Sequence, residues 1–179
     1  MMMGRSGTVD FPAVCVGAIK VGVGPVGVDT WLTPDDYEFM LEDSRAKALI
    51  VTSSLMEKLD RALSKSKYLQ HIIVSGDELS GYHNLQRLQS LASDECDPAV
   101  TSCDDSCFWL YSSGSTGAPK GTIHVHSSLA HTAELYAKPV LGIKETDVVF
   151  SAAKLFFAYG LGNGLTFPLS VGATTVLMA

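Results

Sequence analysis

Apolar positions follow two periods along this chain. Phe11, Val14, Cys15, Ala18 and Ile19 recur at the i, i+3, i+4 spacing of a helix with one buried face. Asp10 stands where a cap would, and Gly22 where that helix would stop. Residues 23–28 then read as a short strand, which Pro25 restricts to a sheet edge or a bulge. Thr33-Pro34-Asp35-Asp36 opens a second helix, with a cap hydroxyl before the proline and carboxylates at the positive helix end. Its buried stripe takes in Tyr37, Met40 and Leu41. The run Ala48-Leu49-Ile50-Val51 lacks any polar alternation, as a parallel strand covered on both faces requires.

Further along, Leu55, Leu59, Ala62 and Leu63 form another helical face. Ile72-Ile73-Val74 predicts a strand ending on Ser75-Gly76-Asp77. Residues 85–92 predict a helix, and 108–111 a strand that runs into a Ser/Gly loop. Leu129, Ala133, Tyr136, Ala137 and Val140 mark a helix after the loop; 148–150 and 174–178 mark two strands. Residues 1–7 read poorly as a strand. Strands and helices alternate without internal repeats, so the expected class is α/β, a mostly parallel sheet flanked by helices.

Composition narrows the function. The 179 residues hold 13 Lys and Arg against 19 Asp and Glu, a formal charge of −6, which disfavours a nucleic-acid partner. No apolar run of about eighteen residues, the length that spans a bilayer, lacks a charge, and residues 9–28 lack the layout of a signal peptide. No membrane partner is therefore expected, and a cytoplasmic location is. Cys15, Cys96, Cys103 and Cys107 do not have the paired spacing of a zinc site and read as reduced thiols. Asp94, Glu95, Asp97, Asp104 and Asp105 lack the order and glycine of a calcium loop, so 93–105 reads as a solvated connector and the best linker candidate. His124, His126 and His131, placed on one helix, are badly arranged for a common metal. Nothing in the residues fixes an oligomeric state.

The chemistry concentrates in residues 111–121, Tyr-Ser-Ser-Gly-Ser-Thr-Gly-Ala-Pro-Lys-Gly, of which seven are Ser, Thr or Gly. Small side chains let consecutive backbone N–H groups approach an anion closely. Ser112, Ser113, Ser115 and Thr116 add hydroxyl donors, and Lys120 a point charge for phosphate oxygens. The order is neither a Walker A loop, which places Lys directly after its second Gly, nor a dinucleotide fingerprint. A bare Ser/Gly run would be a turn; the ordered Pro-Lys-Gly ending after a strand points to a phosphate loop between strand and helix.

This segment resembles the phosphate-binding signature of the adenylate-forming superfamily: acyl-CoA synthetases, peptide-synthetase adenylation domains and luciferases. Asp10-Phe11-Pro12, Gly17-Ala18-Ile19-Lys20, Leu32-Thr33-Pro34 and Leu41-Glu42-Asp43-Ser44 resemble its upstream segments. The run from Lys154, Lys-Leu-Phe-Phe-Ala-Tyr-Gly-Leu-Gly-Asn-Gly, is similar to the substrate-pocket segment of benzoate-CoA ligase-like aryl-CoA ligases. The likeness covers the chain from about Thr8 onward.

The resemblance implies an ATP-dependent acid–thiol ligase that forms an acyl-adenylate and then an acyl-CoA thioester. Its substrates would be an aromatic carboxylate, ATP and CoA, with Mg²⁺ as cofactor. It implies phosphate contacts from Ser112, Ser113, Gly114, Ser115, Thr116, Gly117 and Lys120, with Thr116 nearest the metal. It implies an acyl pocket from Phe157, Ala158, Tyr159 and Gly160; Phe156 is shared between pocket wall and core. The family's adenine segment, ribose-binding Asp, catalytic Lys and C-terminal domain have no counterpart among these residues. The resemblance therefore implies that 1–179 is part of a large N-terminal AMP-binding domain, an internal piece of a ligase that is inactive by itself. Two alternatives are a non-catalytic nucleotide- or acyl-binding fragment and a piece of a fatty-acyl-CoA synthetase.

Overall fold

A computed structural model describes residues 1–4, 9–112 and 117–178. Seven strands form one sheet: β1 (Met2–Gly4), β2 (Val26–Gly27), β3 (Ala48–Thr52), β4 (His71–Ser75), β5 (His83–Asn84), β6 (Ser106–Ser112) and β7 (Lys120–Val125). Their order is β5-β4-β3-β1-β2-β6-β7, parallel throughout except for β7, which runs antiparallel to β6 along one edge. A second sheet pairs β8 (Val148–Ser151) with β9 (Thr174–Leu177) in parallel.

Residues 1–7 carry the main correction to the expected strands. Met2–Gly4 is the central strand, paired with β2 on one side and β3 on the other. Met2 and Met3 are fully buried, and strand alternation sends them to opposite faces, one into each core. Methionine lacks the branched signature of strand formers, but its pliable thioether fills irregular gaps, so burial rather than propensity makes this strand. The expectation for Pro25 also changes. The strand shortens to Val26–Gly27 and lies inside the sheet, with Pro25 just ahead of it. There the missing N–H costs no ladder bond, while the Pro25 carbonyl accepts from the Trp109 N–H at 2.9 Å.

Two cores flank the sheet. On one face α2 (Pro34–Ser44) and α3 (Met56–Lys65) bury Tyr37, Met40, Leu41 and Leu59 against Leu49, Val51 and Val74. The start of α2 is a full capping box. Thr33 Oγ1 accepts from the Asp36 N–H at 3.2 Å, and Asp36 Oδ2 accepts from the Thr33 N–H at 3.1 Å. Such a cap stabilises by about 1 kcal/mol. The Tyr37 hydroxyl donates to the Asp29 carbonyl at 2.7 Å, which satisfies the one polar atom of a buried ring. On the other face α1 (Asp10–Lys20) joins Phe11 and Cys15 to Cys107, Phe108, Leu155, Phe156 and Leu161. Asp10 is the first residue of α1 and not its cap.

Beyond β5, α4 (Leu85–Leu91) leads into residues 93–105, which are exposed throughout and connect α4 to β6 of the same sheet. After β7, α5 (His126–Thr132) continues into wider π turns over Ala133–Leu141, closed by Gly142 at φ 66°. Past β8, α6 (Ala158–Leu161), a π segment at Gly162–Thr166 and α7 (Phe167–Val171) lead back to β9. Among the described residues no helix is long and apolar enough to cross a membrane.

Candidate active site

The Ser/Gly segment joins two antiparallel strands, not the strand and helix that its sequence predicts. Lys120-Gly-Thr-Ile-His-Val has the β-branched content of a strand, so β7 forms first and the helix follows. His124 therefore belongs to a strand and His126 to a helix start, a correction to their placement on one helix. Within the hairpin Ser112 is the partner of Lys120, and Tyr111 of Gly121. Ser112 and Lys120, both exposed, thus face each other across the open end, with Gly117 nearby in sequence and also exposed. Ser113, Gly114, Ser115 and Thr116 lie outside the described residues.

Beside this hairpin end lies an open cleft of about 620 Å³, lined by Phe39 and Asp43 of α2, Trp109 of β6, Ile123 of β7 and residues 117–121. Lys120 brings positive charge to it and Asp43 negative. Asp43, Phe39 and Trp109 line this cleft, and motif reading singles out none of them as a candidate site residue. The available signal was Asp43's position in the last turn of a helix, where an acidic side chain opposes the helix dipole.

The four residues expected to line an acyl pocket divide in two. Phe157, Ala158 and Tyr159 are exposed, Tyr159 by 71%. Gly160 is buried, and a Cβ there would lie 2.1 Å from the Lys154 carbonyl oxygen, so its packing role is explicit. Phe156 is core, 6% exposed, with its ring tilted against Phe157 at 4.7 Å. A Cβ on Gly27 of β2 would come 3.4 Å from Phe156 Cα. The segment leading to Phe157 is therefore laid directly on the strand next to β6.

The whole stretch from residue 6 to residue 179 matches the family described as AMP-binding enzyme. This chain belongs to that family. A benzoate–CoA ligase of Thauera aromatica is 58% identical over 171 residues, which is 96% of this chain and 32% of that protein. The crystal structure of a benzoate CoA ligase from Burkholderia xenovorans LB400 superposes with a TM-score of 0.88 at 49% identity, covering 99% of this chain and 35% of that one. An anthranilate CoA ligase solved with anthranoyl-AMP superposes with a TM-score of 0.96 at 35% identity, again covering 99% and 35%. The chain thus spans about a third of the length of the relatives it matches. As an AMP-binding family chain, it carries the hairpin and the Phe156–Tyr159 segment on one mostly parallel α/β scaffold.

Proposed function

We propose that this chain supplies the phosphate-handling part of an aryl-CoA ligase. In the reaction, a carboxylate oxygen of a benzoate-type acid attacks the α-phosphate of ATP and expels pyrophosphate, giving an acyl-adenylate. The CoA sulfur then attacks the acyl carbon and AMP leaves. The observation supporting this most is the hairpin mouth, where Ser112 and Lys120 face each other at the end of an ordered loop sequence, together with the 58% identity to a benzoate–CoA ligase.

In this reading Ser112, Ser113, Gly114, Ser115, Thr116, Gly117 and Lys120 hold the β,γ-phosphates. Hydroxyls and backbone N–H groups donate to oxygens that gain charge as pyrophosphate leaves, and Lys120 adds a full positive charge. Hydroxyl oxygen is a donor that suits a hard cation: the exposed Ser112 hydroxyl at the mouth fits Mg²⁺, and the Thr116 hydroxyl is the assigned neighbour. When bound, Mg²⁺ neutralises phosphate charge. Phe157 and Tyr159 flank the small Ala158, a spacing suited to a flat aryl ring, and Gly160 sets the turn beneath them.

Phe157 and Tyr159 stand open to solvent in this chain, at 48% and 71% exposure. Side chains this open to solvent neither orient an acid nor exclude water, so the 179-residue chain is expected to bind the ligands without turning over. The test incubates the purified chain with Mg²⁺, ATP, CoA and benzoate, then titrates benzoyl-adenylate against decanoyl-adenylate. Tighter binding of benzoyl-adenylate without AMP release is expected. Equal or tighter decanoyl binding overturns the aryl assignment, and sustained AMP release overturns the inactivity of the isolated chain.

A further inference from the structure

Asp43 is the penultimate residue of α2, at the helix end where backbone carbonyls already concentrate negative charge, and that turn has no basic side chain. Its carboxylate nonetheless has a partner from far along the chain. The Tyr111 hydroxyl donates to Asp43 Oδ2 at 2.6 Å across a separation of 68 residues. The Tyr111 phenol is held protonated, pushed above its ordinary pKa by burial and then by that carboxylate.

The Tyr111 ring also supports the other strand of the hairpin. Gly121 is its cross-strand partner, and a Cβ at Gly121 would lie 3.3 Å from the Tyr111 ring and 3.1 Å from the Trp109 ring. The backbone of β7 therefore rests directly on both aromatics. Lys120 is the next residue, and Ser112 is the next after Tyr111. Strand β7 is an edge strand, exposed from Lys120 to Ile123, with the sheet holding it on one side only. A tether on the ring beneath Gly121 fixes the strand end that carries Lys120.

We propose that Asp43 and Tyr111 are positioning residues for the phosphate contacts Ser112 and Lys120, tying the loop's stems to the end of α2. This rests on the assignment of that hairpin mouth to phosphate.

The test is calorimetric titration of Mg²⁺-pyrophosphate into the 179-residue chain, well below the melting temperature of every variant. Tyr111→Phe keeps the ring under Gly121 and deletes only the hydroxyl. Asp43→Asn keeps a neutral acceptor and Asp43→Ala has none, so these two share the same charge. Tyr111→Phe is expected to weaken binding about fivefold, the scale of one charge-assisted hydrogen bond near solvent. Asp43→Ala is expected to bind about fivefold more weakly than Asp43→Asn, and this difference should vanish in a Tyr111→Phe background. If Tyr111→Phe lowers the melting temperature but leaves affinity unchanged, the tie is structural only and the proposal falls. Equal affinities for Asp43→Ala and Asp43→Asn overturn it as well. If the unmodified chain does not bind pyrophosphate, the phosphate assignment fails first and takes this proposal with it.

Discussion

The imidazole of His124 lies flat on the ring of Phe108, with centroids 4.6 Å apart and planes within 4°. The two are cross-strand partners on β6 and β7, so the stack fastens the edge strand to the sheet. The pair sits further from the hairpin mouth than Tyr111 and Gly121 and closes the opposite half of the ladder.

Burial lowers the His124 pKa below its ordinary 6.5. The folded state therefore resists a proton that the unfolded chain accepts. This contribution to stability is complete above pH 6.5 and is lost as pH falls through the lowered folded value. Melting temperatures of the native chain should drop on acidification over this window, and His124→Phe, which keeps a stack without titrating, should show a shallower drop. Parallel curves for the two proteins would remove His124 from the account.

Gly160 and Gly164 lie one helical turn apart and should respond differently to alanine. At Gly160 the new Cβ meets backbone, the Lys154 oxygen at 2.1 Å and the Ala153 oxygen at 2.8 Å. At Gly164 it meets Leu155 Cδ2 at 2.9 Å, the end of a side chain that can turn away. Gly160→Ala should cost about 3 kcal/mol and Gly164→Ala about 1 kcal/mol, measured from urea midpoints. Equal costs would mean that the 153–154 backbone yields as readily as a leucine methyl.

Lys120→Ala should separate binding from stability. The side chain is exposed on an edge strand, so unfolding free energy should change by less than about 0.5 kcal/mol. Pyrophosphate affinity should fall by about tenfold or more, as expected for loss of a charged phosphate donor. Calorimetry and thermal melting on the same preparation give both numbers.

Cysteine alkylation gives a map of burial. Cys96 and Cys103 are exposed, while Cys15 and Cys107 are buried in the same core. Burial, with the neighbouring Cys107, pushes the Cys15 thiol up to about 12, and burial also raises Cys107. Iodoacetamide at neutral pH should modify Cys96 and Cys103 quickly and the other pair only on unfolding, as read by intact mass and peptide mapping. Rapid modification of Cys15 would contradict the packing of α1 on β6.

The parts that sequence made legible are those where pattern and burial agree. Ala48–Thr52, Tyr37 with Met40 and Leu41, and the Thr33 cap all appear as their spacing predicts. The misses share one physical cause, which is that tertiary partners overrode local signals. Met2–Gly4 is a strand because two neighbours complete its ladder, not because its residues favour one. Lys120–Val125 is the exception: its β-branched residues already favour the strand that pairs with β6, and reading a phosphate loop as strand-then-helix passed over it. The Asp43–Tyr111 contact joins residues too far apart for any local period to reveal. The exposure of Tyr159 depends on what packs beside it, which periodicity does not encode.

The position of β2 bears on how the polypeptide is made. Val26 has β1 as one neighbour, but its other partner is Trp109. At ribosomal speeds of about 5–20 residues per second, Trp109 emerges on the order of ten seconds after Val26. Through that interval one flank of the nascent sheet's centre has no strand beside it, and Val26 and Val28, nearly inaccessible once folded, lack part of their cover. Strand β6, the first strand of the hairpin, is what closes this gap. Slowed translation between Val28 and Trp109 would therefore lengthen the interval in which this flank stays uncovered, and the same stretch placed under fast codons would shorten it.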